Sequence, residues 1–123
     1  GYRSGMALKA MSLGIRADVT TISGVLGELS KRYSVPITMV LIPNREQLFG
    51  TASYRLQDEV SEIAQNSRLD VFDARSAFES VNNIRSVFLP DWHFNPRGNQ
   101  LLLQDLIGHL TKIGAPLPDG LAS

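Results

Sequence analysis

The run "VPITMVLIP" (residues 35–43) is apolar almost throughout and is closed by proline near its start and at its end. Its length and its Val/Ile content favour a β-strand over a helix. Continuous apolarity, without the alternation of a half-exposed strand, predicts burial on both faces, as in the middle of a parallel sheet. A strand of that kind needs helices above and below it, and the flanking sequence supplies them.

Upstream, residues 17–33 ("ADVTTISGVLGELSKRY") place Ile22, Val25, Leu26 and Leu29 on one stripe of an amphipathic helix. Thr20 or Thr21 is the expected cap, and Lys31 and Arg32 suit the C-terminal end of the dipole. Downstream, "NREQLFGTAS" (44–53) reads as a polar connection. Residues 54–66 then set Leu56, Val60, Ile63 and Ala64 on a second helical stripe. "RLDVFDAR" (68–75) predicts a second short strand, with a helical turn at "SAFES". After a loop over 80–92 comes a last helix with Asn95 as cap and Pro96 at its first position. Leu102, Leu103, Leu106, Ile107 and Leu110 are expected to face inward. The alternation predicts an α/β fold, with a parallel sheet flanked by helices and right-handed crossovers. Two strands are few for such a sheet, so the chain reads as part of one. Residues 1–16 are expected to be an N-terminal extension or a remnant of tagging, and 113–123 a flexible tail. A first residue of Gly rather than Met fits a chain processed, tagged or cut from something longer.

The 12 basic and 12 acidic side chains cancel, which removes the electrostatic case for nucleic acid or anionic membrane as main partner. Absence of cysteine excludes disulfides, thiolate nucleophiles and Cys-based zinc sites. No apolar run approaches the roughly 18 residues of a spanning helix. No glycine-rich phosphate loop is present, so no nucleotide cofactor is expected.

The densest chemistry lies in "FLPDWHFNPRGNQLLLQDLIGHL" (88–110). A histidine two positions after an aspartate can act as a general base whose ring the carboxylate orients, and the loop before a capped helix would hold both. Equally, Asp91 could be a turn residue after Pro90 and His93 an ordinary loop histidine. Trp92, the sole tryptophan, could line an acyl or sugar pocket or close the core beneath the loop. His109 falls beside Leu106 and Leu110 and is expected to be structural. A zinc site from Asp91, His93 and His109 lacks ligand spacing, and no metal is expected. Asp70 and Asp73 could bind a metal, but a strand-end turn role is the stronger expectation. Arg45 and Glu46 could belong to a substrate loop or merely be solvated.

The stretch "LPDWHFNPRGNQLLLQDLI" resembles the closing motif of the SGNH (GDSL-like) hydrolases, in which Asp and His precede an Asn or Ser, a turn Gly and a final apolar helix. Here the matching positions are Asp91, His93, Asn95 and Gly98. "ITMVLIPNREQL" is similar to the penultimate strand region of that family. The family's usual spacing is Asp-x-x-His; the Asp-x-His seen here looks more like its polysaccharide O-acetyltransferase branch. The resemblance spans about residues 17–112, the C-terminal half of such a domain, and implies a partial flavodoxin-like sheet. It implies that His93 is the base and Asp91 its orienting carboxylate, acting on an acyl ester or O-acetylated carbohydrate. It also implies an extracytoplasmic setting.

The family's Gly-Asp-Ser nucleophile and its Gly and Asn oxyanion donors have no counterpart here. Ser4 ("YRSG") and Ser23 ("TISG") lack the strand that would present them. The nucleophile is therefore expected elsewhere, from an N-terminal half, and the chain alone should be catalytically silent. The alternative is a non-catalytic α/β module whose open strand edge pairs with another chain or a second copy.

Overall fold

The computed structural model describes residues 2–121, with side chains from residue 14 onward. It is a mixed α/β chain with a two-stranded parallel sheet and flanking helices. Helix α1 spans Tyr2–Tyr33, strand β1 Thr38–Leu41, and helices α2 and α3 span Arg45–Leu48 and Arg55–Asn66. Strand β2 spans Asp70–Asp73, two 3-10 turns cover Ala74–Phe78 and Ile84–Val87, and helix α4 spans Pro96–Lys112.

Helix α1 starts well before residue 17. The Thr20 and Thr21 hydroxyls do not cap it; they donate to Arg16 O at 2.7 Å and Ala17 O at 3.0 Å, one turn back inside a continuing helix. Residues 2–16 contain no proline and are rich in Ala, Leu, Met, Lys and Arg, so nothing stops the helix there. Ser4 lies outside the described side chains. The helix ends as its sequence suggests: Ser34 turns left-handed at φ 52° and Val35 N–H donates to Ser30 O at 3.1 Å.

Both strands are shorter than the segments 35–43 and 68–75 expected to hold them. The burial expected on both faces of β1 is not reached: all of its residues are half-buried, and Ile42 just beyond it is exposed. The cause is the sheet itself, since each strand has one partner and one open edge. Thr38 Oγ1 donates to Asp70 Oδ2 at 2.8 Å and Asp70 N–H to Ile37 O at 3.3 Å, which fixes the register.

The chain divides into two compact units. The first comprises Gly1–Met39 and Arg55–Val71. Its buried residues include Ile63, Ala64, Leu69 and Ser23. Ile63 and Ala64 lie on the stripe foreseen for α3, whereas Leu56 is exposed. The Gly27 backbone lies so close to the α3 C-terminus that a Cβ there would sit 2.2 Å from the Ser67 carbonyl oxygen. Only glycine permits that approach.

The second unit comprises Val40–Tyr54 and Phe72–Ser123. The supposed polar connection at 44–53 contains α2, closed by a capping box: Asn44 Oδ1 accepts from Gln47 N–H, and Gln47 Oε1 accepts from Asn44 N–H, both at 2.9 Å. Ala77, Phe78 and Val87 form the core, with Leu48, Phe88, Phe94, Leu101 and Leu102 against it. Leu103, expected inside, is 46% exposed, and Leu101 packs in its place. Three consecutive leucines sweep about 200° of a helix, so periodicity alone does not say which two face the core.

Candidate active site

The site is built on a tight hairpin in the second unit. Phe88 and Phe94 form an antiparallel bridge, Leu89 N–H donates to His93 O at 2.7 Å, and Trp92 N–H donates to Leu89 O at 2.9 Å. Pro90 takes the turn position that its fixed φ favours. Trp92 occupies the left-handed position at φ 68°. Hairpins with a loop of this length usually place glycine there. Among the described residues the other two non-glycine residues at positive φ, Ser34 and Arg68, end helices, where that conformation is routine. Trp92 alone holds it against its own preference, at a cost of about 1–2 kcal/mol.

This turn brings Asp91 and His93 together. His93 Nδ1 lies 3.1 Å from Asp91 Oδ2, and Asp91 Oδ1 accepts the His93 backbone N–H at 3.2 Å. With Nδ1–H committed to the carboxylate, Nε2 carries the lone pair. The Asp91 carboxyl is held below its ordinary value, first by the His93 backbone N–H and next by the His93 side chain. A lowered carboxylate pKa steadies the folded loop above the usual aspartate range and loses that contribution as pH falls through the lowered value. The Asp91 carboxyl carbon should therefore titrate below the ordinary aspartate value in a ¹³C NMR experiment. His93→Ala should raise the midpoint only in part, because the backbone donor remains. A midpoint at or above the ordinary value in the unmodified chain would contradict the pairing.

Beneath the turn lies an aromatic stack. Phe88 and Phe94 stand 5.2 Å apart, Phe94 and Phe78 5.0 Å, and Trp92 meets Phe49 and Phe88 edge-on at 5.6 and 5.7 Å. Trp92 is half-buried against Phe49 and Phe88, as expected of a ring that closes the core beneath the loop. The Arg45 guanidinium lies 4.9 Å from the Trp92 ring centroid and that of Arg85 5.3 Å. Arg85, Phe88, Leu89, Pro90 and Trp92 line a shallow cleft of about 110 Å³. Sequence reasoning left Arg45 undecided and missed Arg85. Neither has a local signal, because what distinguishes them is an indole met only through the fold.

Asn95 anchors the loop to α4. Its Oδ1 caps the helix by accepting from Gly98 N–H at 2.9 Å, and its Nδ2 donates to Ser86 O at 2.8 Å. Gly98 is not a turn residue. It is buried in the first turn of α4, where a Cβ would lie 2.5 Å from Val87 O and 3.0 Å from Phe94 Cδ1.

The remaining candidates have structural roles. Asp73 caps the turn after β2 and pairs with Arg75 at 2.8 Å, while Asp70 accepts from Thr38. His109 packs its ring on Phe72 at 5.1 Å. Glu46 pairs with Arg45 at 2.8 Å, which lowers its pKa. Among the described residues no group of three or more His, Asp or Glu is placed to hold a metal. Ser23 is fully buried in α1 with its hydroxyl unpartnered, out of reach of an ester. No hydroxyl among the described residues is hydrogen-bonded to His93. Among the described residues, no helix is long and apolar enough to cross a membrane. Comparison with protein-family models, curated proteins and solved structures finds no match.

Proposed function

We propose that this chain is the C-terminal part of a serine esterase or O-acetyltransferase of the SGNH type, and that its two strands belong to a larger flavodoxin-like parallel sheet. Asp91 and His93 would serve a serine carried outside residues 1–123. The observation that carries the proposal is the Asp91–His93 pair at 3.1 Å, with the His93 and Asp91 side chains 81% and 66% exposed. That exposure leaves the Nε2 edge open to a nucleophile from another segment.

In the reaction, Nε2 of His93 takes the serine Oγ proton as Oγ attacks the ester carbonyl carbon. The Asp91 carboxylate stabilises the imidazolium that forms. The C–O bond to the alcohol then breaks, His93 returns the proton to the departing oxygen, and an acyl-enzyme remains. Water or a sugar hydroxyl resolves it by the same proton transfers in reverse. The oxyanion donors come from the nucleophile's side of the site, and no cofactor takes part.

The coding sequence upstream of Gly1 tests this. A strand ending in Gly-Asp-Ser, followed by Gly and Asn motifs, is the expected result. A start codon immediately before this segment would overturn the proposal and favour the alternative, a non-catalytic α/β module. Each strand has an open edge, with Val35 and Ile42 exposed beside β1, which under the first reading pairs with the missing half and under the alternative with another chain or a second copy.

A further inference from the structure

We propose that Arg45 and Arg85, gathered on the Trp92 indole, form an anion clamp, and that the ester bound beside Asp91 and His93 carries a carboxylate, as an acidic sugar does. This rests on the ester-transfer proposal above for the identity of the substrate, but the clamp stands on its own geometry.

The two guanidinium carbons lie 4.9 and 5.3 Å from the indole centroid, inside the range of cation–π attraction. A guanidinium held at an aromatic ring keeps its planar N–H fork available, and that fork matches a carboxylate in two parallel hydrogen bonds. Arg85 makes no ion pair and donates no hydrogen bond among the described residues. Arg45 commits only Nε, to Glu46 Oε1 at 2.8 Å, so its terminal amino groups stay unbonded. Glu46 is held ionised by that same bond and offsets one of the two positive charges. Asp91, next to Trp92, is a carboxylate bonded to His93, so Glu46 and Asp91 together balance the two arginines. The cleft that Arg85, Phe88 and Trp92 line therefore selects a carboxylate through the guanidinium forks rather than through net charge. That cleft, of about 110 Å³, has room for a carboxylate with bound water. Trp92 stands at the left-handed corner of the hairpin although glycine would sit there without strain, and only a large flat ring there can hold both arginines.

Because Trp92 is the only tryptophan, the intact 123-residue chain reports on this site by fluorescence, without a nucleophile and without turnover. Three probes decide the matter: trigalacturonate, a neutral galactose trimer and galactose 6-sulfate. Trigalacturonate should change Trp92 emission saturably, with an apparent Kd that rises with salt. The neutral trimer should leave emission unchanged. Arg85→Gln and Arg45→Gln should each weaken the trigalacturonate response by roughly tenfold or more, and Arg85→Lys should recover only part of the loss. Circular dichroism confirms that each variant folds; if one does not, the comparison of probes on the unmodified chain still decides. An equal response to the neutral trimer, or none to trigalacturonate, overturns the clamp. A response to galactose 6-sulfate alone assigns the site to a sulfate ester and overturns the carboxylate. Failure here leaves His93-dependent acyl transfer standing, and failure of acyl transfer leaves carboxylate binding standing, so the two are separable.

Discussion

If the proposed ester transfer holds, replacing His93 by alanine in a polypeptide that carries the nucleophile should lower kcat by about 10⁴ to 10⁶, the range in which triad members act. The size of the effect follows from what the ring does. With Nδ1 committed to Asp91 at 3.1 Å, Nε2 is the ring nitrogen left to take a proton in the proposed reaction. His93 is the only histidine of this hairpin. Asp91→Asn should cost less, about 10⁴-fold, because it presents the wrong hydrogen-bond partner to Nδ1 and favours the wrong tautomer. The KM for the ester should change little in either variant, since neither side chain belongs to the Arg45–Arg85–Trp92 cluster. Steady-state kinetics on a chromogenic acetyl ester checks all of this, and turnover near that of the unmodified protein would remove Asp91 and His93 from catalysis.

Phe78→Ala should be the most destabilising single change in the second unit, at about 3–5 kcal/mol. Phe78 is 2% exposed and sits at the bottom of the stack, its ring 5.0 Å from Phe94 and nearly parallel to it at 8°. Truncation would remove the contact that holds Phe94, and with it the bridge to Phe88 that closes the Asp91–His93 turn. For a chain of this size the melting temperature should fall by about 12–20 °C. Phe78→Leu, which refills most of the volume, should lose less than half of that. A shift of only a few degrees for Phe78→Ala would mean that the aromatic stack does not support the site.

The parts of the fold that could be read from the sequence are those with a local chemical signal. Asn95-Pro96 announced the start of α4, and the apolar stripe of α3 and the short strand before "SAFES" were equally plain. The capping box of α2 is also written locally, as Asn44-x-x-Gln47, but the helix it opens has only four residues and so leaves no apolar periodicity to mark it. By contrast, Thr20 and Thr21 resemble caps but sit inside a helix, since a β-branched hydroxyl can bond back to a carbonyl as readily as it can cap. Gly98 reads as a turn glycine, yet its absent side chain makes room for Val87 O, a partner brought near only by folding.

The candidate site divides along the same line. Asp91 and His93 are two positions apart, so their pairing needs only a tight turn, and Pro90 supplies it. Arg45 follows β1 and reaches Trp92 through tertiary folding alone. The left-handed backbone of Trp92 has no sequence signature, because the residue that normally marks such a position is glycine.

The most direct test of an Asp91–His93 pair serving a serine from another segment is covalent labelling of the native, full-length polypeptide with a serine-directed fluorophosphonate, followed by peptide mapping. The expected result is a single labelled serine outside residues 1–123, with labelling slowed sharply by His93→Ala and absent from the isolated chain. Labelling of a serine within these residues, or labelling of the native protein that His93→Ala leaves unchanged, would contradict it.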